Sequence, residues 1–467
     1  RRTFLRTSGV TVAGVAFAGP LQALSARAAQ GRDLTATGYG PLLDMGDLWL
    51  PEGFTYSIIS REGEAMTDGK PTPSRFDGMA VFEGPSKNTV TLMRNHENRN
   101  RPNFLMPAEI AVDAGDARYD PDPRMKAGVT KLVVGPEGVR ESSGWAGGMV
   151  FTCAGGPTPW GSWVTCEELF FPPQTGSPLM RHGYIYELDA GAEEPGPVVP
   201  IKSAGRFEHE AVTWLAPHLF LTEDANPGCL YRYTPPVDPW ESGGLQDGGT
   251  LEALQVLDGP SASAEDGTGA GWEVGRAYNV GWVTIPNPDV ARPGEPVGVR
   301  WQAVAAGATT FRRQEGCWND EERVYFDCTN GGRDSLGQIW EYTPQTQQLV
   351  LLFESVRNPP LTGPVLLDKP DNLTVAPGGT VFLCEDRGYR PGDPNNATPS
   401  IRGLTPNGRI FEFARADSNL TEFCGACFGP GGFRATFYVN QMGEPNDGTP
   451  GVTYAIKGPW TNNADLR

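Results

Sequence analysis

Six runs along the chain carry β-type residues into a small cluster of acids or amides: TVTLMRNHEN (89–98), SWVTCEE (162–168), HLFLTEDAN (218–226), RVYFDCTNGG (323–332), TVFLCEDRG (380–388) and ATFYVNQMGE (435–444). Carboxylates gathered in one place cannot all stay ionised, so a site built from these ends calls for cations. With only 4 His in 467 residues, oxygen donors dominate, which favours calcium, magnesium or ferric iron over zinc or copper. The plain alternative is that each acid caps its own strand. A thiol placed among such carboxylates stays deprotonated only beside a strongly charged cation. A guanidinium such as Arg313, two residues before Glu315, matches a phosphate bidentately.

Other catalytic signatures fail on inspection. Residues 180–183 read MRHG, but no R-x-P follows and a strand comes after rather than before. His209 lies between Glu208 and Glu210 on a strand pattern and should point away from both acids, toward packing. Cys424 and Cys427 form a C-x-x-C with no second pair, which fits a local disulfide or two buried thiols better than zinc. There is no P-loop, no G-x-S-x-G elbow and no D-x-D-x-[TV] nucleophile.

The elements that must position these residues are short strands. Gly (60) and Pro (43) are abundant, 39% of the chain is hydrophobic, and the alternation is of period two throughout. The leads into the runs also agree (GPSKN, PTPWG, WLAP, WNDEE, APGG, GPGGF). A second strand with alternating aromatics follows several of them: YIYELD (184–189), YRYTPP (231–236), IWEYTP (339–344) and RIFEFA (409–414). The expected fold is all-β, a six-bladed β-propeller with long loop insertions. Its innermost strands would be the six runs, their acidic ends meeting at one mouth of the axis. Residues 236–310 read as an insertion, and 99–125 and 388–403 as surface loops.

The chain opens RRTFLRT, continues through an apolar stretch free of acids, and reaches Ala26-Arg27-Ala28. This is the pattern of a twin-arginine signal over 1–29, leaving 30–467 as a single propeller domain, periplasmic or secreted, with no stable membrane anchor. The twin-arginine export machinery is then a partner, and it carries folded, cofactor-loaded proteins. The formal charge is −18, which argues against nucleic acid and anionic lipid as partners. An anionic substrate would need bound cations to invert the local field.

One resemblance is specific. GWAGGMVFTCAGGPTPWGSWVTCEE (144–168) resembles the signature of the PhoX-type alkaline phosphatases, and GRFEHEAV (205–212), FRRQEGCW (311–318), DNLTVAPGGTVFLCEDRG (371–388) and RNHE (94–97) are similar to its other blocks. The resemblance runs from about 40 to 460 and implies hydrolysis of small-molecule phosphate esters by an iron (Fe3+) and calcium (Ca2+) cluster on the propeller axis. It implies Cys153 as the iron thiolate and Glu168 and Glu210 as carboxylates on the cluster. Arg313 would bind phosphate and Glu315 metal, with Asn95 a second phosphate contact. Glu97, Asp224, Glu385 and Asp386 would be calcium ligands. Two other classes compete: a calcium-stabilised propeller used only for binding, and a calcium lactonase or esterase-like propeller.

Overall fold

The computed structural model describes residues 35–99, 106–168, 180–245, 247–260, 271–290, 298–357, 365–386, 398–432 and 435–460. The signal-like residues 1–29 lie outside them, as do 388–397 of the expected 388–403 loop. The fold is all-β and propeller-like. Among the described residues the α-helical content is one short helix, Val299–Ala305.

The strands build antiparallel meanders. Phe76–Glu83, Val90–His96, Ala127–Gly135 and Gly138–Met149 form one four-stranded sheet, and Thr152–Pro157, Ser162–Glu167 and Ile185–Asp189 form a three-stranded one. A nine-stranded sheet starts at His209–Leu215, His218–Glu223, Tyr231–Thr234 and Thr250–Val256. It crosses through Ala277–Thr284 to Gln348–Glu354, then runs back through Gln338–Thr343 and Val324–Cys328 to Gln314–Asn319. Pro370–Val375, Val381–Glu385, Ser400–Leu404 and Ile410–Ala416 form the next, extended by Leu48–Pro51 and Leu42–Asp44. In the last sheet Phe423–Phe428, Phe437–Gln441 and Val452–Lys457 take their fourth strand, Thr55–Arg61, from the other end of the chain. That exchange ties the two ends of the chain together and closes the ring.

The ring's inner wall differs from the sequence expectation. The first strand of each meander packs on the next in a closed circuit: Phe76–Glu83, Thr152–Pro157, His209–Leu215, Gln314–Asn319, Pro370–Val375, Phe423–Phe428 and back to Phe76–Glu83. The six repeated runs are therefore second strands. Bulk decides this. The wall carries Gly78, Ala154, Ala211, Gly316 and Gly425, where neighbouring backbones meet. A Cβ on Gly78 would lie 2.4 Å from the Cα of Ala154, and one on Gly425, whose φ is +61°, would lie 2.4 Å from the carbonyl oxygen of Asp77. Runs such as TLM or FLC could not approach so closely. Packed between wall and outer strands, they are buried on both faces, as in Val381–Glu385.

Two loop expectations also change. Residues 236–310 supply two strands and the helix to the nine-stranded sheet region, and Ser400–Leu404 is the third strand of its sheet. RIFEFA is accordingly a fourth strand. Between sheets the core is aromatic: Phe382, fully buried, meets the rings of Phe411, Phe413, Phe428, Phe437 and Trp460. Each such ring taken from water contributes about 1.5–3 kcal/mol. The wall can therefore carry polar groups because hydrophobic layers behind it hold the sheets.

Candidate active site

Every wall strand pairs with its second strand through a β-bulge near its start. The register slips between Phe76 and Met79, Thr152 and Gly155, His209 and Val212, Gln314 and Cys317, Pro370 and Leu373, and Cys424 and Cys427. In five of these the first bulged residue is Asp77, Cys153, Glu210, Glu315 or Asp371; in the sixth, Glu422 stands just before the strand. A bulge re-aims one side chain out of the pleat. The second strands run antiparallel to the wall, so the residues that follow them, Glu97, Glu168, Asp224 and Asp386, arrive at the same mouth.

The two sets interlock. Cys153 Sγ lies 2.9 Å from Glu168 Oε2, and ligand atoms of Glu97, Cys153 and Glu168 all fall within 4.8 Å of one another. Asp77 also neighbours Cys153, Glu168 neighbours Asp224, Glu315 neighbours Asp371 and Asp386 neighbours Glu422. Arg313 grips Asp224 with Nε and Nη2, each at 2.9 Å. It also reaches Glu315 at 2.6 Å and Asp386 at 3.5 Å. Its φ of +50° is an uncommon backbone conformation for an arginine, of the kind held at functional sites. Arg99 pairs with Glu97 at 3.1 Å.

The electrostatics are lopsided. Burial first, then neighbouring acids, push up the carboxyls of Asp77, Glu168, Glu210, Asp371 and Glu422 and the thiol of Cys153. Glu315 is pushed up to about 8 by burial and then Asp224. Burial alone would lower Arg313, but Glu315, Asp224 and Asp386 outweigh it and raise it. Acids this numerous around two guanidiniums hold protons until cations replace them. The donor set, carboxylates with a single thiolate, fits hard oxygen-loving cations plus one with affinity for sulfur.

Not every expected site residue joins the cluster. Asn95 is fully buried and its amide is saturated. Its Nδ2 donates to the carbonyls of Cys153 (3.0 Å) and Ala154 (2.7 Å), while its Oδ1 accepts from Trp163 and Thr165. No donor remains for a phosphate, so Asn95 is a brace behind Cys153, which corrects the sequence expectation. The same position, last but one in its strand, recurs as a brace. Thr222 donates to Glu315 O and Asn440 to Asp77 O, both at 2.6 Å. Asp327 accepts from the bulge N–H of Gly316 at 3.0 Å, so this acid too lies behind the wall rather than at the mouth. Glu385 turns to Arg402 and to the backbone of Asp368, leaving Asp386 as the member of its doublet that faces the cluster.

Asp77, Asp371, Glu422 and Arg99 were missed from sequence. For the first two a signal existed. An acid or Cys directly precedes Gly or Ala in Asp77-Gly78, Cys153-Ala154, Glu210-Ala211 and Glu315-Gly316, and Asp371 takes the same place before the bulkier Asn372, ahead of five of the six repeated runs.

The remaining singled-out residues are structural. His182 is buried between Glu167 and Asp120. His209 stacks on Phe207 with its Nε2 3.0 Å from Gly205 O, and Cys424 and Cys427 are buried free thiols. No helix among the described residues is long and apolar enough to cross a membrane.

Comparison with known proteins identifies the family and the fold. The chain matches the family model described as alkaline phosphatase PhoX over residues 37–146 and 136–443. Among solved structures it is similar to Pseudomonas fluorescens PhoX in complex with vanadate, a transition state analogue. That match has 16% identity and a TM-score of 0.68, covering 91% of this chain and 98% of that one. A Trypanosoma rangeli sialidase complex matches at 7% identity and a TM-score of 0.40, over 87% of this chain and 59% of that one. Among curated proteins, none matches the chain in sequence.

Proposed function

The chain belongs to the PhoX alkaline phosphatase family, and from that premise we propose that it hydrolyses phosphate esters at the mouth of the ring, using iron and calcium held by the wall. The observation that carries this reading is Arg313 set among Asp224, Glu315 and Asp386, one carboxylate away from the Cys153–Glu168 contact. A propeller that only bound calcium would have no use for a guanidinium or a thiol there.

In this reading Cys153, Glu168 and Glu210 hold iron, and Glu97, Glu315, Asp224 and Asp386 hold calcium, with Asp77, Asp371 and Glu422 added to the set. Bound cations supply Lewis acidity toward the phosphoryl oxygens and an activated oxygen nucleophile. With Asp224 and Glu315 engaged as ligands, the fork of Arg313 turns its donors to the phosphoryl group and steadies the charge that builds there. Asn95, Thr222 and Asn440 keep the bulges in place, so the ligands are set before substrate arrives. Burial of the wall excludes water from behind the reacting group.

The nine-stranded sheet is two blades joined edge to edge where Ala277–Thr284 meets Gln348–Glu354, which makes the propeller six-bladed. Residues 1–29 act as a twin-arginine signal and 30–467 fold as one domain that works in the periplasm or outside the cell. The deciding experiment is phosphate release from a monoester by protein purified with its native metals, with elemental analysis of the same sample. Absence of release from a sample loaded with iron and calcium would sink the reading.

A further inference from the structure

Arg99 is the second guanidinium at the mouth, and the reading above gives it no task. Its backbone N–H is held by both carboxylate oxygens of Glu109, at 3.1 and 3.0 Å, and Glu109 is itself fixed by the buried Arg75 at 3.2 Å. The root of the side chain is therefore anchored. The tip is not: Nε and Nη2 both go to a single oxygen, Glu97 Oε2, at 3.2 and 3.1 Å. The side chain is 39% exposed while that of Glu97 is 5% exposed. It lines a cavity of about 380 Å³ together with Asp386, Thr421 and Glu422.

Arg75 lines the same cavity but is consumed. It is buried, and Glu109 and Glu444 take its donors. The cluster thus has two arginines, Arg99 joined to it through Glu97 and Arg313 through Asp224, Glu315 and Asp386, and Asp386 also lines the cavity beside Arg99. Arg313 is shared among three carboxylates. Arg99 makes a direct ion pair with one, Glu97, while Glu422 acts on it from the same cavity, and a guanidinium carries five N–H donors. When Glu97 serves as a cation ligand, its charge is shared and the hold on Arg99 loosens.

We propose that Arg99 is a substrate-binding residue that grips the phosphoryl oxygens alongside Arg313. The assignment rests on the phosphatase reading for the identity of the anion. A charge-assisted contact of this kind changes affinity roughly ten- to a hundredfold.

The test uses full-length protein purified with its metals, with inorganic phosphate as the probe. Phosphate affinity is measured by calorimetry for wild type, Arg99→Gln and Arg99→Lys, with iron and calcium content determined on each sample. Arg99→Gln should bind phosphate roughly ten- to a hundredfold more weakly at unchanged metal content, and Arg99→Lys should recover part of it. For a monoester, KM should rise in parallel while kcat moves less. Unchanged phosphate affinity overturns the assignment, and so does loss of metal in both variants, since Arg99 would then serve only Glu97. If wild type binds phosphate but releases none from any ester, the phosphatase reading fails, while Arg99 is still judged by the affinity ratio alone.

Discussion

The thiol of Cys153 lies 2.9 Å from Glu168 Oε2, although Cys153 sits inside one strand and Glu168 just past the end of its neighbour. The bulge between Thr152 and Gly155 turns Cys153 toward the axis, and Glu168 follows the end of the paired strand. The contact exists only because both local features point to one mouth. Without a cation it is a poor arrangement, since burial and then Glu168 push the thiol up.

Replacing Cys153 should therefore separate metal from fold. Cys153→Ala is expected to lose iron while the metal-free protein stays within about 1 kcal/mol of wild type, because a buried thiol is small and the aromatic layers carry the core. Elemental analysis beside thermal unfolding checks it. Full iron content in the variant would remove Cys153 from the ligand set.

Asn95 should behave as a brace and not as a phosphate contact. Asn95→Leu strands the carbonyls of Cys153 and Ala154 and the donors of Trp163 and Thr165, each a buried group costing about 1–3 kcal/mol if left unpaired. The expected result is a stability loss of several kcal/mol and lowered iron content, with KM for phosphate esters unchanged in the fraction that stays loaded. Normal stability with a raised KM would restore the phosphate role.

How much of this was legible from sequence follows from where the information sits. Glu97, Glu168, Asp224 and Asp386 could be found because an acid ending an apolar strand is a local signal. Cys153, Glu210, Glu315 and Arg313 came from whole motifs. Asp77 and Asp371 were not seen because their direction depends on a bulge, and a bulge is a property of two paired strands. Asn95 was misread for the related reason that its partners, Cys153 and Trp163, are distant in sequence. The assignment of wall to the repeated runs failed because apolar periodicity reports burial but not distance from the axis. The small residues at Gly78, Gly316 and Gly425 were the better guide.

His182 gives a pH test outside the mouth. Burial alone would lower it, but Glu167 and Asp120 outweigh that and raise it to about 9, against an ordinary value near 6.5. A raised folded value means the folded state holds a proton that the unfolded state releases. The stabilisation is thus complete below about 6.5 and is lost as pH rises toward 9, on the order of 3 kcal/mol in all. Denaturant unfolding at pH 6 and pH 9 should show that fall in wild type and a much smaller one in His182→Gln. Equal pH dependence in both proteins would refute the assignment.

Arg313 provides the sharpest test of the chemistry. In this structure it holds three carboxylates, so its removal has two opposing effects. It leaves Asp224, Glu315 and Asp386 without a counter-charge, which strengthens their demand for cations. It also deletes a preorganised donor aimed at the phosphoryl group. The first effect predicts metal content at least as high as wild type. The second predicts a loss of about 2.7–4 kcal/mol of transition-state stabilisation, or roughly a hundredfold to a thousandfold in kcat/KM. Arg313→Lys should recover little, since an ammonium is a point charge that cannot copy the two parallel bonds of a planar fork to a phosphoryl group. Steady-state kinetics on Arg313→Ala and Arg313→Lys, with iron and calcium measured in the same preparations, decide it. Wild-type kcat/KM in Arg313→Ala would exclude the phosphate clamp, and parallel loss of metal and activity would make the arginine a structural tie.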